Sequence, residues 1–367
     1  MNTATAIVET HRLKMSSVCQ SYQKHGSTFD SQISKNKGIS RLLFGLGVVM
    51  TMLCHANLFA QSPGCVPTTN LGLWVKADNA GSGAWKDHSP KLNDVEKVGT
   101  LNLQTGDALH NFQPYYTGFS GSNYFRDATS SLNSNNSIAQ TVTNTTVFSV
   151  VRPNSASASG RVVGIDNDAY FAAEPGFSLK NGKPYFYKYS KASLGVDVVS
   201  RSHTNIATPN QNSVLSWNAN NASSNLSIGL NGNITSFTNS GFGIVGQNLL
   251  LGYSAGWDNP GAFDGDIQEV IWYNSSLTAA EVQKINSYLA IKYGATLTTN
   301  YLDGTGATIY NVATYGNNIF GIGNEVCQGL AQNQSRSSNV GFQPIISSTG
   351  FAATNATNSV EIGRAHV

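Results

Sequence analysis

The chain has 367 residues, of which 11% are charged and 10% aromatic, with 22 Lys and Arg against 20 Asp and Glu. Because these charges nearly balance, the sequence lacks the basic stripe that holds phosphates, and we expect no nucleic-acid partner. The aromatic content argues against a disordered chain, and the abundant Asn, Ser, Thr and Gly suit a β protein with many turns.

The first sixty residues are typical of a targeting segment. Arg41 precedes an apolar run, LLFGLGVVMTML at 42–53, which is too short to span a bilayer comfortably. We interpret residues 1–60 as a long n-region and signal peptide, with cleavage near Gln61. The segment holds six of the basic and two of the acidic residues, so the exported part stays near neutral. We expect a secreted or cell-surface protein without membrane insertion after cleavage.

Two cysteines remain after this cleavage, Cys65 and Cys327. In an oxidising compartment they could form a disulfide, but the sequence leaves this pairing open. Two cysteines so far apart form neither a disulfide scaffold nor a zinc site.

From Leu71 to Tyr273 the sequence predicts short strands separated by turns. The segment NTTVFSVVRP alternates Val147, Ser149 and Val151 with Phe148 and Val150, and the proline stops it. Asn-Gly pairs at 181–182 and 231–232 tolerate positive φ at both positions, which a type I′ hairpin needs. Many short strands with tight turns predict an all-β fold, either a β-sandwich or a barrel. The pattern continues for about two hundred residues, which favours one large sandwich over two small ones.

One helix is strongly specified after these strands. Thr278 and Glu281 form a capping-box pattern, and Leu277 and Val282 occupy the positions of a hydrophobic staple. An apolar face follows, and Gly294 supplies a left-handed C-terminal cap. We expect this helix to pack on an edge or end of the sandwich, and a partner-binding role is the alternative.

The segments LGLWVKAD, AWKDHS, FDGDIQEVIWYNSSLTAAEV and YLAIKYG resemble the LamG-like, concanavalin A-like lectin-glucanase domains of exported Bacteroidetes surface proteins. The resemblance covers roughly Val66 to Thr298, and we assign the sandwich domain to 61–298. It implies a jelly-roll of two stacked antiparallel sheets, a carbohydrate- or protein-binding module, and adhesion. Residues 299–367 resemble the start of the β-rich module that often follows such a domain, and we expect this module to be truncated.

An acidic stretch before the helix raises an enzymatic alternative. Laminarinase-type glycosidases of this fold place carboxylates on one strand face, and retaining hydrolysis needs two of them about 5–5.5 Å apart. Here Asp264 and Asp266 share a face with Gln268, an amide that cannot act as an acid. Glu269 should face the other way unless a bulge rotates it. A glycoside hydrolase using Asp264, Asp266 and Glu269 is therefore the alternative reading.

A loop just before this strand supplies the candidate binding residues. Trp257 could stack on a sugar face, with Asp258 and Asn259 beside it. Asp258, Asp264 and Asp266 offer hard oxygen ligands that would suit Ca²⁺, the one cofactor the sequence suggests. The histidines at 88, 110, 203 and 366 are interpreted as surface residues of polar loops.

Together these features predict a non-catalytic extracellular recognition or adhesion module that binds a glycan or a surface protein. A structural spacer of a long surface protein is the third possibility, beside the glycoside hydrolase.

Overall fold

The computed structural model describes residues 61–80, 83–127, 144–166, 174–192, 195–238, 248–253, 261–314, 316, 319–337, 343–348 and 350–358. The expected leader, 1–60, and the candidate residues Trp257, Asp258 and Asn259 lie outside the described residues, as does His366. From Gln61 onward the chain forms one compact unit. Within the described part, no helix is both long and apolar enough to cross a membrane.

Short strands dominate the described residues. The strands of the sandwich are β1 Leu71–Ala80, β2 Ala84–Asp87, β3 Val95–Val98, β4 Asn102–Gln104, β5 Tyr115–Thr117, β6 Tyr124–Asp127, β7 Asn144–Pro153, β8 Gly160–Asp166, β9 Glu174–Lys180, β10 Lys183–Ala192, β11 Gly195–Ser202, β12 Ser213–Asn220, β13 Asn225–Leu230, β14 Asn233–Thr238, β15 Asn248–Leu251 and β16 Gly265–Tyr273. The helix α1 spans Ala279–Tyr293 and is followed by β17 Tyr301–Leu302, β18 Thr308–Tyr310, β19 Gly323–Glu325, β20 Leu330–Gln332, β21 Gln334–Arg336 and β22 Ile345–Ser347. Among the described residues, 3-10 turns lie at Pro63–Cys65, Ala108–His110 and Val326–Gln328.

The strands pair antiparallel in the order β11-β10-β9-β8-β15-β6-β3-β2-β1-β16-β7-β12-β13-β14. The two halves of this path stack face to face. The ring centroid of Phe177 on β9 lies 5.6 Å from that of Trp217 on β12 and 5.4 Å from that of Trp272 on β16. The buried apolar residues between the two halves form one continuous core. The all-β sandwich predicted from the sequence is confirmed.

Strand β7 is buried on both faces. Val147 and Val151 point into the sandwich core, whereas Phe148 and Val150 belong to a second apolar cluster that contains α1. The predicted alternation is therefore confirmed. The helix does not pack on an edge or end, as the sequence suggested, but covers the outer face of the sheet that contains β1, β16, β7 and β12. That sheet needs a cover because its outer face is apolar.

Both Asn-Gly hairpins form as predicted. The turn between β9 and β10 has φ of 52° at Asn181 and 73° at Gly182, and that between β13 and β14 has 50° at Asn231 and 80° at Gly232. Positive φ at both positions matches the right-handed twist of the flanking strands.

The ends of α1 also follow the sequence pattern. The Thr278 hydroxyl accepts from the Glu281 amide, the Glu281 carboxylate accepts from the Thr278 amide, and Gly294 caps the C-terminus with φ of 68°. Val282, Ile285 and Leu289 are buried on the sheet side. The predicted N-terminal capping box, the buried apolar face and the C-terminal cap at Gly294 are all confirmed.

Replacing Thr278 with alanine should lower the free energy of unfolding by about 0.5–2 kcal/mol, because the first turn loses its side-chain acceptor. Chemical denaturation at constant m-value measures the loss. Glu281→Gln is the matched control, since glutamine also serves in a capping box and the cost should be much smaller. An unchanged midpoint for Thr278→Ala would mean that the cap does not contribute to stability.

The segment after α1 packs against the sandwich. Cys65 and Cys327 form a disulfide with a Cα–Cα distance of 5.5 Å, so the pairing that the sequence left open is present. Asn111, which precedes β5, contacts both α1 and the segment after it. Its Nδ2 donates to the Lys292 carbonyl (2.9 Å), and its Oδ1 accepts from the Arg336 amide (2.6 Å).

Candidate functional site

A bulge in β16 decides where the acidic residues point. Ile267 pairs with Val151 and Glu269 pairs with Val150, so Gln268 is an extra residue between them. An extra residue reverses the alternation of the strand, and Glu269 therefore lies on the same face as Asp266. The expectation that Glu269 faces the opposite side is wrong, for this reason.

The helix α1 covers this face at Glu269, which is completely buried. Its carboxylate accepts from Trp74 Nε1 at 2.6 Å, Tyr293 OH at 2.7 Å, Lys292 Nζ at 2.9 Å and Tyr288 OH at 3.0 Å. These four donors occupy its lone pairs, and the helix separates it from solvent.

Asp266 has a different partner, the imidazole of His110. Its carboxylate lies 3.0 Å from Nε2 of His110, whose Nδ1 lies 2.9 Å from Asp107. The imidazole is stacked on Tyr115, with ring centroids 3.5 Å apart, and only 4% of its side chain is exposed. The interpretation of His110 as a surface histidine is wrong, because its side chain is buried beside Asp266 and Tyr115. His203 is likewise buried.

Asp264 differs from both, since it is exposed and accepts from Asn154 Nδ2 at 3.0 Å. Asp264, Asp266 and Glu269 therefore occupy three separate environments. Among the described residues, the group of three metal-ligand types that comes together is Cys65, Glu325 and Cys327, and its sulfurs are joined in the disulfide. The calcium site at Asp258, Asp264 and Asp266 stays a prediction.

A larger feature lies where the first turn of α1 meets the outer face of β12, β13 and β14. A cleft of about 390 Å³ opens here. Its polar lining is Ser216, Asn218, Asn220, Ser223, Asn225, Ser227, Ser276, Gln283, Asn286 and Thr299, and its apolar lining includes Ile234, Leu277, Ala279 and Val282.

Strand alternation places these polar groups. Leu215, Trp217 and Ala219 of β12 point into the sandwich core, so Ser216, Asn218 and Asn220 point outward, and β13 repeats the pattern with Asn225 and Ser227. Between them, a Cβ at Gly229 would meet Ser216 Oγ and Ile234 Cδ1. The glycine therefore leaves the floor of the cleft open.

Hydrogen bonds fix part of this lining. Asn218 Nδ2 donates to the Leu277 carbonyl and its Oδ1 accepts from Ser276 Oγ, both at 2.7 Å. These bonds tie β12 to the segment that enters α1, so the two walls of the cleft are held together. Preformed walls lower the entropy cost of binding.

The lining of the cleft is uncharged and includes a buried polar atom without a hydrogen-bond partner among the described residues. None of the described residues that line it is charged. Asn286, which is 3% exposed, has a buried Oδ1 without a hydrogen-bond partner in the described part of the chain. On the opposite wall Ile234 is 44% exposed. The arrangement offers amide and hydroxyl groups beside an aliphatic surface, which suits a neutral ligand with many hydroxyls.

This cleft is not among the sites predicted from the sequence. The sequence does carry a signal for it, because β12 and β13 have Asn and Ser at alternate positions. Which strands adjoin one another, and that α1 closes one end of their face, could not be read from this pattern.

Residues 281–365 match the family described as a domain of unknown function (DUF8202). The matched region takes in most of α1 and strands β17–β22. A comparison with curated proteins finds no match.

Solved structures show partial likenesses. Domain 4 of AbnA, a GH43 extracellular arabinanase from Geobacillus stearothermophilus in complex with arabinotriose, is 15% identical, covers 59% of this chain and 98% of its own, and has a TM-score of 0.43. The CBM40 of the Ruminococcus gnavus IT-sialidase, bound to α2,3 sialyllactose, is 14% identical over 38% of this chain and 81% of its own, with a TM-score of 0.32. A botulinum neurotoxin type C structure is 12% identical over 64% and 53%, with a TM-score of 0.45.

Proposed function

We propose that this protein is a non-catalytic extracellular module that recognises a neutral glycan in the cleft between α1 and strands β12–β14. The observation that carries the proposal is the lining, which combines amides and hydroxyls with no charged residue among those described. Amide and hydroxyl groups donate to and accept from sugar hydroxyls, while Ile234 and Val282 can contact the apolar C–H faces. A sugar acid would have to bury its carboxylate without a cation, which is costly.

The environments of the acidic residues support the non-catalytic part of the proposal. A retaining glycosidase needs two carboxylates about 5–5.5 Å apart that both reach the substrate. Glu269 is sealed under α1 by four donors, and Asp266 is held by His110. Glu269 could act only after α1 had left the sheet.

Export and adhesion are part of the proposal. The disulfide between Cys65 and Cys327 suits an oxidising compartment, as does the expected leader at 1–60. A LamG-like role on the surface of an exported protein, with glycan rather than surface protein as the partner, is consistent with both features.

Soluble neutral oligosaccharides should raise the melting temperature of the protein by mass action, whereas their uronic acid and sialylated counterparts should not. Ser227→Trp fills the cleft and should weaken binding at least tenfold, about 1.4 kcal/mol, in titration calorimetry. Ser200→Trp is the matched control, because Ser200 is an exposed strand serine outside the cleft lining. It should bind like the parent.

Equal binding by Ser227→Trp and the parent would show that the cleft is not the site. Release of reducing sugar that disappears in Glu269→Gln would favour the glycoside hydrolase instead. A calcium-dependent rise in melting temperature that is lost in Asp264→Asn would support the predicted calcium site.

A further inference from the structure

Lys292 lies between the carboxylates of Asp78 and Glu269, beside the second apolar cluster that contains α1. Its Nζ is 2.9 Å from Asp78 Oδ2 and 2.9 Å from Glu269 Oε2. The three residues come from different elements: Asp78 from β1, Glu269 from β16 and Lys292 from the last turn of α1. The amine therefore joins β1, the first strand of the sandwich, to the helix that covers the outer face of its sheet.

The surroundings are apolar and aromatic. The side chain of Lys292 is 4% exposed, that of Glu269 is 0% exposed, and that of Asp78 is 32% exposed. The rings of Trp74, Tyr288 and Tyr293 enclose the group. Burial of ionic side chains in such surroundings costs several kcal/mol per ion. A reaction between Lys292 and Asp78 would remove the cost of burying those two charges, and the Glu269 carboxylate would keep its hydroxyl and indole donors.

The two carboxylates are held differently. Glu269 also accepts from Trp74, Tyr288 and Tyr293, so it is fixed in place and its carbon is screened. Asp78 lies toward the edge of the cluster, where a small product could leave. Asp78 is therefore the carboxyl group open to reaction, and Glu269 is the positioned proton carrier.

We propose that Lys292 and Asp78 condense to an intramolecular isopeptide bond, with Glu269 as the general base and acid. This modification is independent of the proposed glycan binding.

The step balances without an oxidant or a co-reactant. Lys292 passes a proton through Glu269 to Asp78, which gives a neutral amine beside a neutral carboxyl group. The amine lone pair attacks Cγ of Asp78, and Glu269 takes a proton from the nitrogen and delivers it to the departing hydroxyl. One C–N bond forms, one C–O bond breaks, and one water molecule leaves. The close contact of the reacting groups lowers the entropy barrier.

The charges of the unreacted pair explain the need for Glu269. Burial lowers the pKa of Lys292, but Asp78 and Glu269 outweigh it, and the pKa is raised above its usual value. Burial raises the pKa of Asp78, but Lys292 and Lys76 outweigh it and the pKa is lowered. The resting pair is therefore ionic, and a general base within hydrogen-bond distance must move the proton.

Tryptic digestion of the reduced, denatured full chain tests the proposal. With the bond, peptide 77–86 should appear attached to peptide 285–336, uncut after Lys292, and the pair should weigh one water molecule less than its two parts. Lys292→Arg, which keeps a cation but cannot lose its proton, should give no attached peptide. Glu269→Gln, folded by circular dichroism, should give at least tenfold less.

Lys284→Arg and Glu281→Gln, on the same helix, are the matched controls and should retain the attached peptide. Free peptide 77–86 together with normal cleavage after Lys292 in the parent protein would overturn the proposal, and this result does not depend on whether any variant folds. Full attachment in folded Glu269→Gln would overturn the role of Glu269.

Discussion

Relative to a parent chain that carries no isopeptide bond, replacing Lys292 with methionine should lower the free energy of unfolding by about 3–5 kcal/mol, because removal of one member of a buried ion pair leaves the other charge uncompensated. Lys292 Nζ donates to Glu269 at 2.9 Å, and Glu269 is completely buried. Neutral hydroxyl and indole donors remain around that carboxylate, but none carries a positive charge. Chemical denaturation of parent and variant measures the difference.

A double variant separates charge from packing. Adding Glu269→Gln to Lys292→Met should recover part of the loss, because an amide replaces the unpaired carboxylate. Both variants lack the lysine, so an isopeptide bond affects neither. Lys91→Met, at an exposed lysine, should change stability by no more than about 0.5 kcal/mol. A double variant no more stable than Lys292→Met would show that the unpaired charge is not the cause.

The features that the sequence predicted correctly are set by neighbouring residues. The cap of α1 depends on Thr278 and Glu281, three positions apart, and the hairpin at Asn231 and Gly232 depends on two consecutive residues. The alternation in β7 is similarly local. Such signals need no knowledge of the tertiary fold.

The features that the sequence missed depend on contacts between distant segments. The bulge at Gln268 falls where the strand that pairs with β16 opposite β7 changes from β5, at Ile267, to β1, at Glu269. His110 is buried beside Asp266, which lies far along the chain and whose carboxylate is 3.0 Å from its Nε2. The cleft is lined by residues of β12, β13, β14 and α1 together. One sequence supplies the residue types for these sites but not the pairing that assembles them.

The Cys65→Ser, Cys327→Ser double variant should lose about 2–5 kcal/mol of stability. The disulfide closes a loop with a sequence separation of 262 residues, which takes in almost all of the folded unit. A long closed loop restricts the unfolded chain strongly, so its opening favours unfolding. The native state changes less, because the Ser62 amide still donates to the Cys327 carbonyl at 2.7 Å.

Denaturation with and without a reductant provides the control. The reductant should move the unfolding midpoint of the parent protein to that of the double variant and leave the variant itself unchanged. The m-value should rise in the variant, because an unfolded chain without the crosslink exposes more surface. Equal midpoints for the parent and the double variant would show that the contacts of Ser62, Gly64 and Val66 with the rest of the fold hold the N-terminal segment as well without the disulfide. In that case stability would come from packing of this segment on α1, where a Cβ at Gly64 would meet the Ile285 backbone.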